Sequence, residues 1–123
     1  MRILIVEDED DTRGPFVNIL KRRGHTMFEA ITGRGAIETI EKEKPDLVIL
    51  DISLKDEITG MDVLKDTKPK FPEIEIVMMS AYESEYKAES LKIGAYGFIK
   101  KPITSVQDIL NAVEEIKKKK GLQ

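Results

Sequence analysis

The chain has 123 residues, of which 41% are hydrophobic, a formal net charge of −3 and no cysteine. This suits one folded domain and excludes disulfides and thiolate metal sites. The small net charge argues against direct nucleic-acid binding, no apolar stretch reaches the roughly 18 residues that span a bilayer, and no signal peptide is recognisable, so we expect a cytoplasmic protein that contacts neither nucleic acid nor membrane.

Apolar runs alternate with segments of helical periodicity five times along the chain. In chain order this pattern predicts strands at residues 2–6, 27–30, 46–50, 74–79 and 96–100. It predicts helices at 11–23, from about 36 to a stop before Pro45, and at 60–68, 84–93 and 106–116. We expect Asp10 or Asp11 to cap the first helix and Gly24 to end it.

Continuous apolar strands that alternate with helices are typical of a parallel sheet covered on both faces. Because crossover connections are right-handed, few topologies remain. Five such units favour the flavodoxin-like doubly wound α/β fold, a five-stranded parallel sheet of order 2-1-3-4-5 with five helices. In that order strands 1 and 3 are neighbours, so we expect Glu7 and Asp8 to meet Asp51 at the carboxyl edge of the sheet, where ligands bind in such folds.

Polar side chains stand at the ends of four predicted strands: Glu7 and Asp8, then Asp51, Ser80 and Lys101. Three carboxylates that converge repel one another and require a nearby cation. Hard oxygen ligands without histidine or cysteine favour Mg²⁺, with Mn²⁺ as the alternative. The strand ends therefore predict a site for a divalent cation and a phosphoryl group.

These motifs resemble the receiver domain of bacterial two-component response regulators. The shared features are an acidic pair after strand 1, an aspartate after strand 3, Ser or Thr after strand 4 and Lys-Pro after strand 5, and the resemblance extends from Ile3 to about Lys118. It implies a phospho-accepting receiver domain over residues 1–119, followed by a short tail at 120–123 with no output domain.

By this resemblance Asp51 is the phosphoacceptor and takes a phosphoryl group from a histidine of a partner kinase. The metal ligands would be the side chains of Glu7, Asp8 and Asp51 and the backbone carbonyl of Ser53. Glu7 stands where aspartate is commoner in the family, so we expect it to reach the metal through a water or a shifted rotamer.

The resemblance also implies the parts of a switch. Lys101 would pair with a phosphoryl oxygen as a compact point charge, and the bond from Lys101 to Pro102 is expected to be cis. Ser80 would donate its hydroxyl to another phosphoryl oxygen. Phe98 occupies the position of the family's rotating aromatic residue, with a plain core role as its alternative. The output surface would be helix 4, strand 5 and helix 5, roughly residues 84–116.

The loop between Asp51 and Gly60 departs from the family, which usually has one residue fewer there; the stretch includes Asp56 and Glu57. Two other features have simple interpretations. His25, the one histidine, is expected to be a solvated turn residue. The lysines at 117–120 are expected to be a solvated helix end that complements the helix dipole.

Expected partners are a sensor histidine kinase or phosphotransfer protein, and a downstream target protein or effector domain, with a phosphorylation-dependent dimer as an option. No enzyme activity is expected beyond transfer to Asp51 and later hydrolysis.

A flavin binder would need a Ser/Thr/Gly-rich phosphate loop, but residues 7–11 of this chain are all acidic, so no organic cofactor is expected. A phosphatase of small substrates would need a second acid where Ser53 stands. The remaining alternative is a receiver-like interaction module that is not phosphorylated.

Overall fold

The computed structural model describes residues 1–122, in which five strands and five helices alternate along the chain. The strands β1 to β5 span Arg2–Val6, Thr26–Ala30, Leu47–Asp51, Glu75–Ser80 and Gly97–Lys100. The helices α1 to α5 span Asp10–Arg22, Gly33–Glu43, Gly60–Lys70, Glu83–Ile93 and Val106–Lys119. Gln123, the last residue of the predicted tail, lies outside the described residues.

The strands form one parallel sheet of order β2-β1-β3-β4-β5, which confirms the predicted topology. Two hydrophobic clusters cover its faces. One joins the sheet to α2, α3 and part of α4, and the other joins it to α1 and α5. Every residue of β3 and β4 is buried, as expected for central strands with helices on both sides. Among the described residues, no helix is long and apolar enough to cross a membrane.

Strands β3 and β4 each run one residue further than the predicted ranges 46–50 and 74–79. Asp51 pairs with Met79 in the parallel ladder, and the Ile52 amide donates a 3.0 Å hydrogen bond to the Met79 carbonyl. Asp51 and Ser80 are thus the last residues of their strands rather than the first residues of loops. The hydrogen bonds of the sheet therefore fix the backbone at Asp51 and Ser80, from which the two side chains project.

The capping prediction for α1 is wrong. The helix begins at Asp10, its N-cap residue is Glu9, and no side chain makes the cap hydrogen bond. Asp10 instead forms a salt bridge with Arg13. As an acid in the first turn it still interacts favourably with the helix dipole. Gly24 follows the helix with a φ of +93°, a conformation that favours glycine, and this agrees with the predicted end.

His25 is not solvated, contrary to the expectation. It is only 6% exposed, and its Nδ1 atom lies 3.2 Å from the terminal amino nitrogen of Met1. The turn folds back because the His25 amide donates a hydrogen bond to the Leu20 carbonyl. Burial, followed by the positive charges of the chain terminus and of Lys117, lowers the pKa of His25 below its usual 6.5.

The lysines at 117–120 were expected to be solvated, but they include side chains that contact other parts of the domain. The ammonium group of Lys119 forms a salt bridge with Glu75, a buried acid at the start of β4, and lies 5.3 Å from the centre of the Tyr96 ring. Lys68 approaches the same carboxylate at 3.7 Å. The end of α5 is therefore tied to the amino edge of the sheet.

Helix α4 is the least embedded helix, since Ser90 is its one buried residue. The Ser90 hydroxyl contacts the sulfur atom of Met61 in α3 at 3.4 Å. Tyr82 just before the helix and Leu91 within it are large apolar residues that remain exposed. The helix thus rests on the sheet with little hydrophobic anchorage.

Candidate functional site

The three predicted acids converge at the carboxyl edge of the sheet. Glu7, Asp8 and Asp51 each place a carboxylate oxygen within 4.8 Å of the others. Glu7 is fully buried, Asp51 is 2% exposed and Asp8 is partly buried. Their meeting follows from the topology, because β1 and β3 are hydrogen-bonded neighbours and Val6 pairs with Leu50. The prediction that strand order brings these side chains together is confirmed.

Lys101 provides the positive charge of this cluster. Its Nζ atom lies 2.7 Å from Glu7 and 3.1 Å from Asp51. The backbone amide of Lys101 donates to the Ser80 carbonyl at 2.9 Å, and its peptide bond to Pro102 is cis, as the resemblance implied. Burial alone would lower the pKa of Lys101, but the contacts with Glu7 and Asp51 outweigh it and raise the pKa. The ammonium therefore stays charged at neutral pH.

The acids retain an excess of negative charge despite Lys101. Burial, together with the hydrogen bond and repulsion from Glu7, raises the pKa of Asp8 above its usual 3.8. A divalent cation would relieve this repulsion. Three converging carboxylates without nitrogen or sulfur ligands suit a hard cation such as Mg²⁺ or Mn²⁺. The donor set of this site therefore fits the metal that the sequence predicted.

The β3–α3 loop packs tightly against Asp51. One carboxylate oxygen of Asp51 accepts a 3.1 Å hydrogen bond from the Ser53 amide. Gly60 crosses so close that a Cβ atom there would lie 2.2 Å from the Asp51 carbonyl oxygen. Only glycine permits this approach. The loop thus orients the Asp51 carboxylate, whereas the Ser53 carbonyl as a metal ligand stays a prediction.

Ser80 is the last residue of β4, one position beyond the predicted strand, and Phe98 lies on β5 as the sequence predicted. The Ser80 hydroxyl is buried and accepts a 3.0 Å hydrogen bond from the Tyr82 amide. Phe98 pairs with Met78 and packs, half-buried, against the cluster that also contains α2 and α3. No hydrogen bond between Ser80 and the acids occurs within residues 1–122. Their switching roles remain predictions.

Arg13 is a site residue that the sequence analysis missed. Its guanidinium donates to the backbone carbonyl of Glu7 at 2.7 Å and to the Glu29 carboxylate at 2.8 Å. The hydrogen bond with Glu29, followed by that with Asp10, raises the pKa of Arg13. Arg13 therefore fastens the turn that carries the acidic pair to β2. A basic residue one turn into the helix after the pair was the available signal.

Comparison with known proteins decides the family. The sequence matches the response regulator receiver domain family over residues 3–114. The chain belongs to this family. It is 36% identical over 105 residues to the nitrogen assimilation regulatory protein NtrX of Azorhizobium caulinodans, with 84% of this chain aligned. It is 32% identical over 115 residues to the sporulation initiation phosphotransferase F of Bacillus subtilis, with 93% of this chain aligned.

Solved structures agree with this assignment. The receiver domain of NtrX from Brucella abortus is 33% identical, with a TM-score of 0.85 over 93% of this chain and 96% of that chain. A response regulator receiver domain protein from Clostridium thermocellum has a TM-score of 0.88 over 98% of this chain and 96% of that chain, and at 21% identity it supports the fold alone. The chain is thus a receiver domain of the two-component signalling type.

The relatives differ in length. The chain spans 23% of the Azorhizobium protein but 91% of phosphotransferase F. Membership of the receiver family gives no support to the flavin-binding and small-substrate phosphatase alternatives. The interaction module without phosphorylation gains no support from these relatives.

Proposed function

We propose that this receiver domain accepts a phosphoryl group on Asp51 from a phosphohistidine of a sensor histidine kinase or phosphotransfer protein. The observation that carries the proposal is the setting of the Asp51 carboxylate. It is buried at the end of β3, contacts the ammonium of Lys101 at 3.1 Å, and shares a cluster of oxygens with Glu7 and Asp8.

The chemistry follows from this setting. An oxygen of Asp51 attacks phosphorus, the bond from phosphorus to the imidazole nitrogen breaks, and its electron pair stays with the imidazole. The product is an acyl phosphate on Asp51, which water later hydrolyses. Phosphoryl transfer depends mainly on positioning and on neutralising charge. Lys101 supplies one fixed positive charge beside the nucleophile.

A bound Mg²⁺, or Mn²⁺, would supply the remaining charge neutralisation. Glu7, Asp8, Asp51 and the backbone carbonyl of Ser53 would hold it. Glu7 is paired with Lys101 at 2.7 Å, so it would approach the ion through a water or after a change of rotamer. The ammonium of Lys101 then turns from Glu7 toward the incoming phosphoryl oxygens.

Phosphorylation would act as a switch because it adds about −1.5 to −2 charges and three acceptor oxygens. Ser80 would exchange its bond from the Tyr82 amide for a bond to a phosphoryl oxygen, and Phe98 would repack. The output surface would be residues 84–116, where β5 and α5 already line an open groove of about 840 Å³. It would bind a downstream protein, an effector domain or a second phosphorylated copy. The chain would act on itself in this way in the cytoplasm and on no other substrate.

Intact-protein mass after incubation with acetyl phosphate tests the proposal. We expect a gain of one phosphoryl group that requires Mg²⁺ and is absent in Asp51→Asn. Asp66→Asn, which neutralises an acid on α3 away from the site, should be phosphorylated like the wild type. A gain that persists in Asp51→Asn would refute Asp51 as the acceptor. If Mg²⁺ binds but neither acetyl phosphate nor a phosphorylated kinase labels the chain, the non-phosphorylated module takes its place.

A further inference from the structure

The inserted β3–α3 loop is fastened to a different helix through Asp56. Its two carboxylate oxygens accept hydrogen bonds from the amides of Gly33 at 3.0 Å and Arg34 at 3.2 Å. These amides belong to the first turn of α2, where backbone donors have no partner within the helix. Partial burial would raise the pKa of Asp56, but these bonds lower it. Asp56 is therefore an ionised cap supplied from outside the helix.

A second contact holds the same loop on the same helix. A Cβ atom on Gly33 would lie 2.3 Å from the carbonyl oxygen of Ile58 and 2.6 Å from a side-chain carbon of Ile58. The side chain of Ile58 also packs against the hydrophobic cluster that α2 contributes to. The loop is thus seated on the start of α2 by one ionic and one apolar residue, two positions apart.

On the N-terminal side of Asp56, the same loop carries a residue of the candidate metal site. Ser53, three residues earlier, donates its amide to Asp51, and its carbonyl is the predicted backbone ligand. After the loop, Thr59 and Asp62 form a capping box that starts α3. Among the described residues, Asp56 makes the only side-chain hydrogen bonds that join the segment from Leu54 to Glu57 to the rest of the chain. The side chain of Leu54 also packs against the core, so the loss of Asp56 would remove the polar restraint on the backbone that follows Ser53 and leave the apolar one.

We propose that Asp56 is a positioning residue that, by tying residues 52–59 to α2, holds the Ser53 carbonyl in place and makes the site prefer Mg²⁺ over the larger Ca²⁺. The inference rests on the proposed function, because it assumes that the acids and the Ser53 carbonyl bind the ion. Mg²⁺ requires short, nearly octahedral bonds, whereas Ca²⁺ accepts longer bonds and variable geometry. A rigid carbonyl therefore favours Mg²⁺, and a mobile one adapts to Ca²⁺.

Calorimetric titration of the unphosphorylated chain with MgCl₂ and with CaCl₂ tests this. We expect Asp56→Ala to weaken Mg²⁺ binding about tenfold, the lower end of the usual effect of residues that orient metal ligands. The affinity for Ca²⁺ should fall much less, so the ratio of the two affinities should drop. Asp56→Asn retains one acceptor oxygen and should lie between Asp56→Ala and the wild type.

Two variants separate positioning from simpler effects. Glu57→Ala removes the same charge from the next, exposed residue of the loop. Thr32→Ala removes the side chain that accepts from the Gly35 amide at 2.9 Å, so it weakens the start of α2 without touching the loop. Both should keep the wild-type ratio of Mg²⁺ to Ca²⁺ affinity.

The outcomes are distinguishable. If the wild type binds no Mg²⁺, the proposed function fails and this inference fails with it. If the wild type binds Mg²⁺ but the ratio in Asp56→Ala equals that in Glu57→Ala or in Thr32→Ala, the positioning role alone is overturned. Should Asp56→Ala not fold, Asp56→Asn decides the question, and an unchanged ratio there overturns the role.

Discussion

Lys101 donates a hydrogen bond to Glu7 at 2.7 Å, across 94 residues of sequence. Glu7 is fully buried, and the side chain of Lys101 is 19% exposed. The same ammonium reaches Asp51. One cation thus compensates two buried acids and joins the loop after β5 to the ends of β1 and β3. The stability of the domain and the chemistry of its site depend on the same contact.

Lys101→Met should destabilise the protein at neutral pH because it leaves Glu7 and Asp51 facing each other without a cation. Breaking a buried ion pair costs about 3–5 kcal/mol, and partial exposure of Lys101 reduces our expectation to about 2–3 kcal/mol. Urea denaturation at neutral pH measures this loss. Lys100→Met, at the exposed neighbour, should have little effect, and equal losses in the two variants would contradict the assignment.

Gly60→Ala should lower both stability and phosphorylation, since the new Cβ would lie 2.2 Å from the Asp51 carbonyl oxygen. We expect a loss of about 2 kcal/mol or more, typical of a steric clash in the core. Gly14→Ala is the matched control within α1. Nothing lies within 4 Å of a Cβ there, so it should stabilise the helix by about 0.5–1 kcal/mol. Thermal melting of both variants checks the contrast, which would be absent if Gly60 were merely a loop residue.

His25 should make the protein sensitive to mild acid. Its pKa is lowered in the folded state, so below about pH 6.5 the unfolded chain binds more protons than the folded one. The contribution of His25 to the free energy of unfolding is therefore fully present above pH 6.5. It is lost as the pH decreases toward the folded pKa, by at most about 1.4 kcal/mol per pH unit. Comparison of urea midpoints between pH 7 and 5.5 should show a shallower decline in His25→Gln. Equal declines of the urea midpoint in the wild type and in His25→Gln would rule out His25 as the source of the acid sensitivity.

Arg13→Gln should loosen the turn that carries Glu7 and Asp8. The lost contacts are the hydrogen bonds to the Glu7 carbonyl, to Glu29 and to Asp10, and we expect a loss of about 1–2 kcal/mol of stability. Weaker Mg²⁺ binding should accompany it, because the acidic pair is less well oriented. Calorimetry and urea denaturation measure the two effects. Arg22→Gln, at an exposed position of the same helix, should leave Mg²⁺ affinity unchanged; a matching decrease there would point to net charge instead.

Much of the fold and the central site could be predicted because they depend on strong local patterns. The continuous apolar strands imply a parallel sheet, and the sheet order then places Asp51 beside Glu7 and Asp8. The proximity of Lys101 follows in the same way, since β5 ends at the same edge. These results depend on which strands are neighbours and tolerate errors of one residue in their limits.

Other features depend on contacts that local patterns do not contain. Burial of His25 requires the chain terminus and α5 to close over a turn. The role of Asp56 requires a loop to reach a helix more than 20 residues earlier in the sequence. The start of α1 at Asp10 was missed because acids fit both the cap and the first turn.

Helix α4 packs loosely on the sheet, with Ser90 as its one buried residue, and this determines which part of the native state unfolds locally. Local unfolding needs little free energy where few apolar contacts are lost. The backbone amides of α4 should therefore exchange with deuterium before those of β3, whose residues are all buried, and at a rate that denaturant barely changes. Helix α4, which is part of the proposed output surface, would thus unfold locally many times for each global unfolding of the domain.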